Sequence, residues 1–185
     1  MGIFSKISER LDQKGEHYGY LLNEGRLKIE VDRAIRAINE IGIEFDTIAV
    51  QGVSGLLMGA PLASALGKGL IIVRRPGDES TMTFPFGIRG HGKNQSILFV
   101  DDCVRTGATA KRIVEKLDEF CKPYTLAGVL FYNAGWRTND YPKTFTDNGA
   151  ERPIIVLPDE SGPLVDKDSA FGALLTAIGA KGFTE

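Results

Sequence analysis

Apolar residues are spaced along the chain in two patterns, one typical of helices and one typical of buried strands. From Leu27 to Ile41 they recur at three- and four-residue steps, which predicts an amphipathic helix. The run from Thr47 to Gln51 is short, apolar and of strand length. Further strands are predicted at Leu70 to Val73, Ile97 to Val100, Leu126 to Tyr132 and Ile154 to Leu157, and further helices at Gly55 to Leu66, Ala108 to Phe120 and Ser169 to Ile178.

The alternation of strands with helices predicts an α/β fold, a parallel sheet of about five strands with helices on both faces. Ligands of such sheets bind at the carboxyl ends of the strands. Two stretches interrupt the alternation: 77–95, a long segment without clear periodicity, and 133–152, which is polar, aromatic and contains glycine. A connection as long as the first is typically a functional lid or disordered. Both stretches are candidates for loops that line a site.

The chain has 185 residues, of which 43% are hydrophobic and 25% charged, and this predicts one domain over 1–185. A formal net charge of −2 gives no overall attraction to nucleic acid or to acidic membranes. Cys103 and Cys121 are too few for a disulfide framework, so we expect reduced thiols. The first residues lack the apolar core of a signal peptide, and no apolar run reaches transmembrane length. We therefore expect a cytoplasmic protein whose partners include neither nucleic acid nor membrane.

The segment from Ser96 to Arg112 carries the strongest chemical signal. It reads SILFVDDCVRTGATAKR, an apolar strand followed by two acids, a small-residue turn and the start of a helix. Backbone N–H groups of such a turn and of the helix N-terminus point at one spot that suits an anion. Thr106 and Thr109 add hydroxyl donors there. The turn therefore predicts a phosphate site.

Asp101 and Asp102 are unexpected beside a phosphate, because like charges so close cost free energy. They fit a ligand that also offers neutral hydroxyls, such as a ribose diol, with a divalent cation to balance charge. A purely structural turn is one alternative. Another is a phosphoacceptor receiver domain, but there the acids lie near the N-terminus and a later strand ends in aspartate, whereas the run Leu126 to Tyr132 is followed by Asn133.

The residues Ile97 to Thr109 resemble the signature of type I phosphoribosyltransferases that binds 5-phosphoribosyl 1-diphosphate (PRPP). The resemblance implies a Mg-dependent enzyme that transfers the phosphoribosyl group to a nitrogenous base, releasing pyrophosphate and forming a nucleoside 5′-monophosphate. Asp101 and Asp102 would hold the ribose hydroxyls and offset the developing sugar cation. The magnesium is expected mainly through PRPP, with no certain protein ligand. The 5′-phosphate would be bound by Val104, Arg105, Thr106, Gly107, Ala108 and Thr109.

A second anion loop is predicted at Gln51 to Gly55, where a strand gives way to a helix. It resembles the pyrophosphate loop of the same family, in which Val53, Ser54 and Gly55 would bind and the Val53-Ser54 peptide can be cis. Many relatives have a basic residue where Ser54 stands, so pyrophosphate would depend more on backbone and metal. Alternatively, a Gly-rich turn of this kind is structural.

Basic residues follow the second predicted strand. Arg74 and Arg75 come directly after it, and Arg89 and Lys93 lie among the glycines of 77–95. The resemblance implies a flexible loop over 77–95 that closes over the diphosphate, where added cations stabilise the leaving group and water is excluded. A solvated basic loop is the alternative for each residue.

The sequence indicates the sugar donor more clearly than the base that accepts the sugar. Arg105 stands where hypoxanthine-guanine enzymes usually have an acid, which argues against that subclass. Tyr132 and Trp136 are candidates for stacking on a base, while Phe131 equally suits the core. The residues 52–76 resemble adenine-type enzymes, whereas 131–135 with 153–158 faintly resemble xanthine-type ones, so a purine is favoured.

A small hood over the site is expected from 1–26 and 133–165, and a homodimer in nucleotide salvage is expected for the whole protein. The alternative function is a non-catalytic regulator that senses nucleotides or PRPP on the same fold. An RNA-binding regulator would need a basic face, of which the net charge of −2 gives no sign.

Overall fold

The computed structural model describes residues 25–74, 87–89, 95–103, 106–134, 142–158, 167–179 and 183–184. Within these ranges the helices are α1 (Arg26–Ile41), α2 (Gly52–Leu66), α3 (Ala108–Phe120) and α4 (Lys167–Ile178). The strands are β1 (Thr47–Gln51), β2 (Gly69–Val73), β3 (Gly87–Arg89), β4 (Gln95–Asp101), β5 (Tyr124–Ala134), β6 (Thr144–Asp147), β7 (Ala150–Pro158) and β8 (Phe183–Thr184).

The strands form a sheet in the order β3-β2-β1-β4-β5-β7-β6-β8. The five central strands, β2, β1, β4, β5 and β7, are paired in parallel. Antiparallel strands extend the sheet at both edges, β3 beside β2 and β6 with β8 beyond β7. The predicted α/β fold with about five parallel strands is confirmed, and each of the predicted helices and strands is present.

Helices cover both faces of the sheet, as predicted. Side chains of α1 and α2 pack on one face, against alternate residues of β1, β4 and β5. Those of α3 and α4 pack on the other, and their buried residues include Ile113 and Leu174. Because both faces are covered, every residue of β1 is buried, and this explains why its centre, Ile48 to Val50, is apolar without alternation.

Helix α2 begins at Gly52, three residues before the predicted start. Gly52 has a left-handed φ of 67°, which lets the chain turn from β1 into the helix without a linker. The helix then packs closely on β1, since a Cβ at Gly59 would lie 2.4 Å from Val50 Cγ1. Pro61 therefore lies in the helix interior.

Several predicted accessory segments lie partly outside the described residues. In 77–95, Gly87–Arg89 forms an edge strand, and Gln95 begins β4. In 133–165, the described residues form strands of the sheet, so the hood stays a prediction for the remainder and for 1–24. None of the helices that are described has the length and apolar character needed to cross a membrane.

Candidate functional site

The carboxyl ends of β1, β2 and β4 lie side by side. Gln51 ends β1 and is level with Val73 of β2, while Asp101 ends β4 on the other side of β1. Helix α2 starts directly after β1, and α3 starts a few residues after β4. Two helix N-termini, each with unpaired backbone donors and a positive dipole end, are thereby directed at this edge of the sheet.

Asp101 is only 4% exposed and is held by two hydrogen bonds. Its Oδ1 accepts from the Asp102 backbone N–H at 3.0 Å and from the Ser54 hydroxyl at 3.4 Å. Burial, followed by the negative charge of Asp102, raises the pKa of Asp101 well above its usual range, and the two hydrogen bonds to Oδ1 offset this only in part. Without a ligand, the Asp101 carboxylate is an under-compensated buried charge.

Asp102 differs from its neighbour in exposure and in partners. It is half-buried, and its Oδ1 accepts from the Cys103 backbone N–H at 2.8 Å. This local bond fixes the carboxylate at the surface of the site, next to the turn that follows. The predicted acidic pair is thus one buried carboxylate and one accessible carboxylate.

The turn before α3 is built around Gly107, whose φ of 67° is left-handed. A Cβ at Gly107 would lie 2.4 Å from the backbone carbonyl oxygen of Ala173 in α4, so only glycine fits. Thr106 is exposed, and its Oγ1 accepts weakly from the Ala108 N–H at 3.4 Å. Gly107, the N-cap residue, has no side chain to cap α3, so this weak bond is the side-chain contact that the described residues make to the helix N-terminus. The structure therefore places Thr106 to Thr109 as an open helix N-terminus, as predicted from the sequence, and Val104 and Arg105 lie outside the described residues.

At the junction between β1 and α2, the side chains serve packing and not ligand binding. Ser54 is buried and binds Asp101, while a Cβ at Gly55 would lie 3.0 Å from Val50 Cβ and 3.2 Å from the Val100 carbonyl oxygen. The Ser54 hydroxyl and the close approach at Gly55 therefore serve packing between α2 and the sheet. Val53 is 59% exposed, and the peptide between Val53 and Ser54 is trans. What remains for a ligand is the backbone of the first helical turn.

Tyr132 is a core residue. Its side chain is 0% exposed, and its hydroxyl donates to the Ser54 carbonyl oxygen at 2.7 Å. Phe131 is buried on the opposite face of β5 and meets Phe99 edge-on at 6.0 Å. The prediction that Tyr132 stacks on a base is wrong, because helices cover both faces of this strand. Trp136 lies outside the described residues.

Gln51 lies in the predicted second anion loop but was given no side-chain role there, and Arg112 was not predicted as a site residue. Gln51 is 2% exposed; its Nε2 donates to the Arg74 carbonyl oxygen at 3.5 Å, and its Oε1 accepts from Arg112 Nη1 at 3.3 Å. A polar residue that ends an otherwise apolar strand was the available signal.

The predicted basic residues do not all lie at the carboxyl edge. Arg74 follows β2 there and is exposed. Arg89 of β3 pairs with Leu70, three residues back along β2 from Val73, about 10 Å from the edge. Arg75 and Lys93 lie outside the described residues.

Asp101 and Asp102 are the carboxylates that the described residues bring to this site. Among the described residues there is no group of three or more His, Cys, Asp or Glu side chains that could hold a metal ion. Magnesium is commonly bound through one or two carboxylates together with water and substrate phosphates. Asp101 and Asp102 suit a magnesium ion that arrives with a phosphorylated ligand.

A cavity of about 660 Å³ lies at the other end of the sheet. It is bordered by Tyr124 at the start of β5, by Asp118 near the end of α3 and by Ile178 at the end of α4. Since the acidic pair and both helix N-termini are at the carboxyl edge, this cavity is separate from the candidate site.

Sequence comparison relates the chain to adenine phosphoribosyltransferases. The enzyme of that name from Thermotoga petrophila is 33% identical over 113 residues, which cover 52% of this chain and 65% of the relative. The chain thus spans less than two thirds of the length of the curated relatives that it matches. No protein-family model matches the chain.

Structure comparison finds the same fold in solved adenine and orotate phosphoribosyltransferases. An adenine phosphoribosyltransferase from Thermoanaerobacter pseudethanolicus superposes with a TM-score of 0.53 and 21% identity over 75% of this chain and 83% of that one. An orotate phosphoribosyltransferase from Francisella tularensis gives a TM-score of 0.54 and 13% identity over 89% and 84%. At such identities the likeness shows a shared fold. Together with the sequence relatives it confirms the resemblance: the chain has the fold of the type I phosphoribosyltransferases, and its relatives are phosphoribosyltransferases.

Proposed function

We propose that the protein transfers the 5-phosphoribosyl group of PRPP to a purine base, releasing pyrophosphate and forming a nucleoside 5′-monophosphate. The observation that carries this proposal is the juxtaposition of one buried and one accessible carboxylate with the open N-terminus of α3. A phosphate and a diol on the same sugar would satisfy both groups at once.

The 5′-phosphate occupies the turn before α3 in this proposal. The backbone donors of the first helical turn and the exposed Thr106 hydroxyl bind its oxygens. Gly107 contributes through its left-handed conformation, which turns the backbone N–H groups of the turn towards one point, while α4 fills the space that a side chain would need.

The two carboxylates act on the sugar. Asp102 accepts hydrogen bonds from the ribose hydroxyls, which are neutral donors and do not oppose its charge. Asp101 lies behind it, and its raised pKa reflects a negative charge that lacks compensation. A sugar ring that becomes cationic as the glycosidic bond breaks supplies that compensation, so the carboxylates stabilise the transition state more than the ground state.

The leaving diphosphate lies across the β1–α2 junction in this proposal. The backbone donors of the first turn of α2 and the exposed Arg74 at the end of β2 face it. Magnesium bound with PRPP would neutralise charge on the diphosphate, and Asp101 and Asp102 are the described residues suited to hold it.

Adenine is the base to test first, since the sequence relatives are adenine phosphoribosyltransferases. The described residues identify no side chain that contacts a base, so this part of the proposal rests on the relatives and not on geometry.

A screen of bases separates the enzyme from the regulator. The protein is incubated with PRPP, magnesium and one of adenine, guanine, hypoxanthine, xanthine or orotate, and pyrophosphate release is followed. We expect more pyrophosphate release with adenine than with the other bases, and none when the base is omitted. Tight binding of adenosine monophosphate without release for any base would instead identify a non-catalytic nucleotide sensor.

A further inference from the structure

Gln51 is a buried polar side chain at the centre of the carboxyl edge. Gln51 is the last residue of β1, is 2% exposed, and forms hydrogen bonds through both polar groups of its amide. The Nε2 donates to the carbonyl oxygen of Arg74, and the Oε1 accepts from Arg112 Nη1. One side chain therefore connects the end of β2, the end of β1 and helix α3.

Arg112 brings a positive charge to this edge. It lies one turn into α3, three residues after Thr109, and is half-buried. In the part of the chain that the structure describes, its guanidinium makes a hydrogen bond to the neutral Gln51 amide and takes part in no ion pair. A guanidinium has five N–H donors, so most of its donor capacity is left for another acceptor.

Nearby charged residues of α3 behave differently. Lys111 lies 3.9 Å from Glu115, and Lys116 lies 2.7 Å from Glu119, both pairs on the exposed side of the helix. Arg112 instead extends to the carboxyl edge and is held there by a residue of another element. A cation that is held in position next to a site for an anion, and that has no ion-pair partner among the described residues, suits a role in binding that anion.

We infer that Arg112, positioned by Gln51, binds the diphosphate of the sugar donor; this rests on the proposed function. The guanidinium is tied to the end of β1, from which α2 begins, so it lies on the side of α3 that faces the diphosphate and Arg74. The 5′-phosphate lies at the other side, at Thr106 to Thr109. Arg112 and Arg74 then flank the leaving group from α3 and β2, and a planar guanidinium can donate two parallel hydrogen bonds to it.

The competing explanation is that Arg112 only satisfies the buried Gln51 oxygen. A structural contact of this kind affects the free energy of unfolding and leaves ligand affinity unchanged. If Arg112 contacts the diphosphate, its loss lowers the affinity for pyrophosphate. The affinity for ribose 5-phosphate, whose phosphate binds at the turn before α3, stays the same. Separate binding of the two ligands therefore distinguishes the explanations.

The test is calorimetric titration of pyrophosphate with magnesium, and separately of ribose 5-phosphate, into the wild type, Arg112→Ala, Arg112→Lys and Lys111→Ala. Lys111→Ala removes a positive charge from the adjacent, exposed position and is the matched control. We expect Arg112→Ala to weaken pyrophosphate by about tenfold or more and ribose 5-phosphate by less than about twofold. Arg112→Lys should restore part of the loss, and Lys111→Ala should bind both ligands like the wild type.

Thermal unfolding of each variant checks that the fold is retained. Pyrophosphate affinity in Arg112→Ala equal to that of the wild type, or an equal loss for both ligands, would overturn the assignment of Arg112. Absence of pyrophosphate and ribose 5-phosphate binding by the wild type would overturn the proposed function itself, which is a different result. Gln51→Leu provides a second variant: it frees Arg112 without removing its charge, and we expect a smaller loss of pyrophosphate affinity than in Arg112→Ala.

Discussion

The two strand-to-helix junctions at the carboxyl edge, β1–α2 and β4–α3, have the same topology and different roles. At β1–α2, Ser54 and Gly55 are buried and hold the helix against neighbouring strands. At β4–α3, Asp102 is half-buried and Thr106 is exposed, so functional groups remain accessible. A glycine at such a junction indicates close packing of the helix on the sheet. An acid followed by a turn with hydroxyl side chains indicates a site for a ligand. The first junction also supports the second, because the Ser54 hydroxyl binds Asp101.

The largest expected difference between the junctions is in turnover. Asp102→Asn is expected to lower kcat/KM about a hundredfold, roughly 3 kcal/mol of transition-state stabilisation, since a neutral amide cannot offset the sugar cation. Ser54→Ala at the other junction removes only a 3.4 Å hydrogen bond and should lower kcat/KM by less than about tenfold. Steady-state kinetics with PRPP and adenine measures both, with thermal unfolding as the check on folding. If the two variants lost activity equally, the distinction between the junctions would be wrong.

Backbone geometry gives the next largest effect. Gly107→Ala places a Cβ against the Ala173 carbonyl in a left-handed residue, and we expect a loss of about 3 kcal/mol in the free energy of unfolding. Gly67→Ala is the matched control, because Gly67 has a similar φ of 64° and nothing within 4 Å of its added Cβ. It should lose only about 1 to 2 kcal/mol. Urea unfolding gives both values, and equal losses would show that contact with α4 does not constrain the turn.

Sequence patterns predicted the central sheet better than its edges. The run from Thr47 to Gln51 coincides with β1, and Ala108 to Phe120 coincides with α3, because a fully buried strand and an amphipathic helix have strong periodic signals. Strand β6 is mostly polar and only four residues long, so its own periodic signal is weak. Its pairing with β7 is set by the two-residue turn of Asn148 and Gly149, both with positive φ, a local signal that the periodicity does not use.

The sequence predicted the site residues that belong to a motif. It did not predict contacts that depend on how distant elements pack together. Asp101 and Asp102 follow from their position after an apolar strand. Gln51 and Arg112 are 61 residues apart, and only the packing of α3 across β1 brings them together. Tyr132 could not be assigned from its aromatic character, because burial depends on the helices that cover β5.

The pH dependence of stability sharpens the contrast between the two carboxylates. The pKa of Asp101 is raised in the folded protein, so its contribution to stability is present below the unfolded value of about 3.9 and is lost as pH rises through the folded value. Asn does not titrate and can accept both hydrogen bonds at Oδ1. We therefore expect Asp101→Asn to gain stability relative to the wild type as pH rises from about 4 to about 8. A difference in melting temperature that stays constant across this range would contradict the raised pKa.

The smallest expected effect is that of Tyr132→Phe. Loss of the 2.7 Å hydrogen bond to the Ser54 carbonyl should cost about 1 kcal/mol of stability, measured by urea unfolding. The KM for the base should change by less than about twofold, since the ring lies in the core. A large rise in that KM without a loss of stability would show that Tyr132 contacts the base after all.

In the proposed function, the β4–α3 junction binds a phosphoribosyl donor for transfer to a base. Incubating the protein with PRPP, adenine and magnesium and quantifying both products by mass spectrometry tests this transfer. We expect adenosine monophosphate and pyrophosphate in equal amounts, and neither product above background when Asp102→Asn replaces the wild type for the same short time. Conversion of PRPP to ribose 5-phosphate and pyrophosphate without any nucleotide, or no conversion with any base, would contradict it.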